Sequence, residues 1–101
     1  MHWVRFERAG QVGFGVLRDG VIHIHEGDMF AGPRATNATV ALAEVTLLTP
    51  CVPTKMVALW NNYHALAAKL NLTPPAEPLY LLKSPSSFLA SGQTIRVPAS
   101  Y

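Results

Sequence analysis

Two turn signals, Ala9-Gly10 and Asp19-Gly20, cut the first 26 residues into three short runs whose side chains alternate. An Asp-Gly pair between two β-rich runs is the strongest short-range hairpin signal. In the first run Trp3, Arg5 and Glu7 fall on one side, Val4 and Phe6 on the other. That is the pattern of a half-buried strand. In the second, Val12, Phe14 and Val16 share a face, while Gly13, Gly15 and Leu17 share the opposite one. Two glycines on one face let another backbone or a large ring pack closely, and Trp3 is a candidate for such a ring. Val21 to His25 completes a three-stranded antiparallel meander.

His23 and His25 stand two apart, so on a strand both imidazoles point to one face, with Glu26 and Asp28 close behind. A metal site and the solvated face of an edge hairpin both fit; no spacing fixes a third ligand, which favours the hairpin. Residues 27–37 read as a loop rich in Gly, Pro and short polar residues. A strand is expected at about 44–48. Pro50-Cys51-Val52-Pro53 then links an N-terminal module, 1–50, to a second, 54–101.

In the second part, Met56 to Trp60 is an apolar strand expected to be buried on both faces. Asn61 or Asn62 is expected to cap a short helix in which Tyr63, Leu66 and Leu70 form the inner face. Asn71 suits the residue after the helix, and Pro74-Pro75 stop it. Leu79 to Leu82 is a second apolar strand, Ser84-Pro85-Ser86-Ser87 a turn, and Thr94 to Val97 a last short strand. Polar residues gathered where an apolar strand meets a helix make this stretch the candidate ligand site.

Composition narrows the functional classes. Half of the 101 residues are hydrophobic and 14% are charged, so the chain builds a core. A net charge of +2 with no Lys/Arg run gives no support to nucleic-acid binding. No apolar run approaches a membrane span, and the charged N-terminal stretch is no signal-peptide core. The sole cysteine, Cys51, favours a reducing compartment and reads as a small buried hydrophobe. A cytoplasmic protein is the expectation.

The order of these elements resembles the N-terminal domain and catalytic entry of the fumarylacetoacetate hydrolase family. The residues that carry the likeness are Arg5-Phe6-Glu7, Gly13-Phe14-Gly15-Val16-Leu17, Asp19-Gly20, Gly27-Asp28-Met29-Phe30 and Val45 to Lys55. Asn62-Tyr63, Pro75-Ala76-Glu77-Pro78 and Leu81 to Ser87 continue it. The resemblance implies an enzyme for 2-oxo or 1,3-dicarbonyl acids, cleaving, decarboxylating or isomerising them with Mg²⁺ or Mn²⁺. Its metal ligands are expected beyond Tyr101, with none in this chain. The family's catalytic His and its Glu partner fall on Leu66 and Lys69 here. His64 lies two positions early, a helical rotation of about 200°.

Lys83 and His64 are therefore the candidate catalytic residues, and Asn62, Tyr63 and Ser87 the candidate substrate-binding residues. The expected fold is mainly β with one short helix, an α+β arrangement. An antiparallel meander leads into a β-α-β piece that looks like the start of a fumarylacetoacetate hydrolase-type β fold. The expected partners are a small 2-oxo acid and a second copy of the chain in a dimer, with neither nucleic acid nor membrane. A non-catalytic binding or assembly module is the alternative reading.

Overall fold

The computed structural model describes residues 1–100 and is mainly β, with one short α-helix and antiparallel sheets. It divides into two compact units, Met1–Val52 with residues 89–100, and Pro53–Phe88.

The first unit is built on β1 (His2–Arg8), β2 (Gln11–Arg18) and β3 (Val21–Glu26). They form the expected meander, with two-residue turns between them. Both residues of each turn take positive φ: Ala9 and Gly10 at 50° and 77°, Asp19 and Gly20 at 48° and 78°. This is the mirror-image turn whose twist matches that of a hairpin. The Gly10 amide also donates to Glu7 Oε1 at 2.6 Å.

Two further strands, β4 (Arg34–Ala41) and β5 (Thr46–Leu47), extend the sheet to the order β4-β3-β2-β1-β5. The first half of β4, residues 34–37, lies in the stretch read as loop. Its first residues lack apolar alternation because they form an exposed edge, and only Val40 is buried. The register breaks between His23 and His25, where residues 36–38 stand opposite Ile24 alone. The Thr36 hydroxyl donates to the Ile24 carbonyl at 2.8 Å and so serves an acceptor in the bulge. The strand expected at 44–48 shrinks to two residues, because a 3-10 turn at Leu42–Glu44 precedes it.

The core lies on one face of this sheet. Phe6, Ile22 and Val40 are buried together, with Val4, Leu17, Ile24, Leu42, Val45 and Leu47 packed around them. The two glycines of β2 face this side. A Cβ on Gly13 would come within 2.8 Å of the Phe6 ring, and one on Gly15 would strike the His23 carbonyl. The ring over Gly13 is thus Phe6, not Trp3, and Gly15 is approached by the His23 backbone instead. Trp3 points to the opposite face, where it meets His25 edge-on at 4.8 Å between centroids and Phe14 at 6.2 Å.

The second unit holds β6 (Met56–Trp60), α1 (His64–Lys69) and β7 (Leu79–Lys83). The two strands pair antiparallel as a ribbon, with Trp60 opposite Leu79 and Met56 opposite Lys83. Burial on both faces does not occur. Val57, Leu59, Tyr80 and Leu82 occupy one face of the ribbon and are all exposed, Leu82 at 75%. The six-residue helix buries only Ala67, so its inner face is not the Tyr63-Leu66-Leu70 stripe. No strand forms at 94–97. Its sequence is short and both Ile95 and Val97 stay exposed, so nothing there rewards pairing.

Alanine in the left-handed region of the first turn costs about 1 kcal/mol. Ala9→Asn, which restores the Asn-Gly pair that such turns prefer, is expected to stabilise the protein by about 0.5–1 kcal/mol in urea unfolding.

Candidate functional site

The polar corner begins where β6 ends. Asn61 takes a φ of 53°, which turns the chain sharply out of the strand. Asparagine tolerates that region because its short side chain finds local partners. Here Asn61 Nδ2 donates to the Thr73 carbonyl at 3.0 Å, which ties the start of the corner to the elbow after the helix. The expected side-chain cap is absent: Tyr63 occupies the N-cap position and makes no side-chain cap bond. Asn61 spends its amide on Thr73 instead.

The helix end is well defined. The Asn71 amide donates to the Ala68 carbonyl and the Leu72 amide to the Ala67 carbonyl, at 3.2 and 2.9 Å. With Asn71 at a φ of 54°, this is a Schellman motif with asparagine in the left-handed position. The corner and the helix end are thus both set by asparagines, about one short helix apart.

Two concavities flank the corner. One, of about 280 Å³, is lined by Asn62, His64, Glu77, Trp60 and the prolines of the elbow. The other, of about 220 Å³, is lined by Tyr63, Leu66, Leu70 and Leu72 with Leu59 and Trp60. The structure therefore brings Asn62 and His64 into one concavity and puts Tyr63 in its neighbour. Glu77 joins His64 there, a carboxylate that sequence reasoning treated only as part of the elbow. Its place becomes visible only once the prolines fold the elbow back on the β6 end.

Lys83 and Ser87 lie elsewhere. Lys83 pairs with Met56, at the far end of the ribbon from Trp60. Four residues of strand separate the two ends, about 13 Å. Lys83 is exposed and followed by a 3-10 turn, Pro85–Ser87. In that turn Ser84 Oγ and Ser86 Oγ share a hydrogen bond of 2.8 Å, and Ser84 Oγ accepts the Ser86 amide at 3.3 Å. Ser87 is exposed, and its amide donates to the Ser84 carbonyl at 2.9 Å.

Metal ligation has no centre among the described residues, where no three His, Cys, Asp or Glu side chains gather. His25 packs on Trp3, its Nδ1 lies 3.0 Å from the His23 carbonyl, and His23 is exposed. Among the same residues, no helix is long and apolar enough to cross a membrane.

Comparison with known proteins places the first half of the chain. The model of the family described as "Rv2993c-like, N-terminal" matches residues 1–50. This corrects the assignment to the fumarylacetoacetate hydrolase family drawn from the motifs. The quoted motifs in this half are strand and turn signals, which specify a small β module and report nothing of a catalytic domain. The matching N-terminal domain is itself of a kind related to the fumarylacetoacetate hydrolase superfamily. The chain is 34% identical over 71 residues to Protein Rv2993c of Mycobacterium tuberculosis, 70% of this chain and 27% of that protein. It is 44% identical over 46 residues to the uncharacterized protein PH0643 of Pyrococcus horikoshii, 46% of this chain and 20% of that one. Among solved structures, an uncharacterized protein from Mycobacterium abscessus matches 99% of this chain and 40% of its own length. Its TM-score is 0.78 and its identity 30%. The structure of Cg1458 matches 84% of this chain and 32% of its own, with a TM-score of 0.63 and 26% identity. The chain thus spans about a quarter or less of the curated relatives it matches.

The corner geometry makes Asn61 the residue to vary. Asn61→Ala loses a hydrogen bond and places a Cβ-bearing residue without local partners at positive φ. It is expected to destabilise the second unit by about 1–2 kcal/mol. Asn61→Gly, which keeps the backbone preference, is expected to cost about half as much in the same unfolding measurement.

Proposed function

We propose that this chain is the N-terminal part of an enzyme that acts on 2-oxo or 1,3-dicarbonyl acids by C–C bond hydrolysis, decarboxylation or isomerisation. The carrying observation is the concavity at the end of β6, which Asn62, His64 and Glu77 all line. An imidazole or a carboxylate lining such a concavity can move a proton at a substrate carbon or oxygen, and an amide can hold a carbonyl oxygen. The relation of residues 1–50 to Rv2993c-like N-terminal domains supports the class.

In this reading His64 exchanges a proton with the substrate and Asn62 and Tyr63 hold its oxygens, while Lys83 with Ser87 forms a separate carboxylate-binding point at the other end of the ribbon. A small 2-oxo acid cannot span the ribbon, so its contacts in this unit are to one end at a time. Residues outside these 101 complete the wall. The divalent cation, Mg²⁺ or Mn²⁺, belongs to that outer part, because no three His, Cys, Asp or Glu side chains gather among the described residues. The protein acts in the cytoplasm.

The test is turnover of oxaloacetate or an acylpyruvate by the full-length product of the reading frame that carries this chain. Activity is expected with Mg²⁺ or Mn²⁺. His64→Ala is expected to lower kcat/KM by about 10²- to 10⁴-fold. Absence of turnover across that substrate set would retire the enzymatic reading.

The exposed apolar face of the ribbon favours a second reading, a binding or assembly module that works as a homodimer. Val57, Leu59, Tyr80 and Leu82 make a contiguous cross-strand patch, of the sort that a second copy covers. Light scattering should then show a dimer, and Leu82→Asp should shift it towards monomer at micromolar concentration. A monomer that is unchanged by Leu82→Asp sinks this reading.

A further inference from the structure

A cleft of about 360 Å³ opens in the first unit, apart from the corner just described. Its walls come from β1 and β2, from the loop after β3, and from Pro50 and Cys51. Phe14 forms a rigid side of it, because its ring is held against Trp3 and His25, with centroids 6.2 and 6.5 Å away. The loop opposite is also fixed. Asp28 Oδ1 accepts the Phe30 amide at 2.7 Å, the Asp28 carbonyl accepts the Ala31 amide at 3.3 Å, and Gly27 turns at a φ of 90°. Met29 and Phe30 line the cleft from this loop, Phe30 with 80% of its surface exposed.

One cation belongs to these apolar walls. Arg5 is half-buried, and its Nη1 donates to the Thr49 carbonyl at 3.3 Å. Among the described residues Arg5 has no ionic partner; the ion pair found there is Arg8 with Glu44. Its guanidinium therefore keeps N–H donors to spare in a planar fork that matches a carboxylate. Asp28 also lines the cleft, and its carboxylate opposes any second negative charge on an occupant.

We propose that this cleft binds a small monocarboxylate with a flat apolar body. The carboxylate sits on Arg5, and the body lies between Phe14, Met29 and Phe30. The volume falls at the lower end of the range of small-molecule sites, roughly 300–1,000 Å³. The site lies wholly in the first unit and does not depend on the reading of the β6 corner.

Cys51 is the sole cysteine and lines the cleft, so its alkylation by iodoacetamide reports occupancy. Phenylacetate serves as the probe, phenylacetamide as its uncharged counterpart and phenylmalonate as its dianion. With a dissociation constant on the order of 1 mM, usual for so small a ligand, about 10 mM phenylacetate should slow alkylation about tenfold. Phenylacetamide and phenylmalonate should slow it less than about twofold at the same concentration. Arg5→Gln should abolish the protection, and Phe30→Ala, at an exposed side chain, should weaken it with the fold intact. Amide shifts of Gly13, Gly27 and Cys51 in an NMR titration give the same answer independently of thiol reactivity. The proposal is overturned if phenylacetate moves neither the alkylation rate nor these shifts. Equal protection by phenylacetamide overturns it in favour of a purely apolar contact surface, and undiminished protection in folded Arg5→Gln overturns the role of the guanidinium.

Discussion

Everything in the first unit depends on how closely β1 and β3 approach the glycine face of β2. Gly15 leaves space that a Cβ would take from the His23 carbonyl, and Gly13 accepts the Phe6 ring. That ring forms a core with Ile22 and Val40, the residues that fasten β3 and β4 to the same layer. A side chain at either glycine would lift the ring or the neighbouring strand away. With Ile22 as the largest fully buried side chain, the core has little else to absorb such a shift. The opposite face can then be spent on other contacts, and Trp3, Phe14 and His25 form a separate aromatic cluster there.

The second unit is organised by backbone shape more than by burial. Only Ala67 in its helix is buried, while asparagines at positive φ begin the corner and end the helix. The Asn61 bond to Thr73 closes this arrangement and keeps the proline elbow over the β6 end. The consequence is a small concavity whose walls are loops pinned by hydrogen bonds, with an apolar sheet face left outside. Loops placed on a rigid scaffold commonly carry binding groups.

The meander was legible because its information is local: alternation, and two turn pairs whose φ demands are visible in residue type. The Asn71 helix end was legible for the same reason. The strand β4 was hidden because an edge strand needs no apolar alternation, and its bulge at 36–38 breaks what pattern remains. Trp3 was the candidate ring for the glycines, because only cross-strand register shows that Phe6 stands opposite Gly13. Burial of the ribbon was overestimated because an apolar strand records what can be covered, not what this unit covers. Of the candidate site, the meeting of Asn62 and His64 could be read from adjacency. The antiparallel pairing that carries Lys83 to the other end of the ribbon could not, since strand direction is a tertiary fact.

The two-residue turns have a consequence for how the molecule forms. Pairings such as Arg8 with Gln11 and Arg18 with Val21 join residues three apart, so the hairpins can zip from their turns with little loop-closure entropy. The pairing of Phe6 with Leu47 spans about forty residues and cannot start until that intervening chain exists. During vectorial synthesis the meander is therefore exposed first and assembles on its own, with the β1 edge held open. The two residues of β5 then dock onto a surface already in place, which makes this edge the last part of the sheet to close and the first to fray.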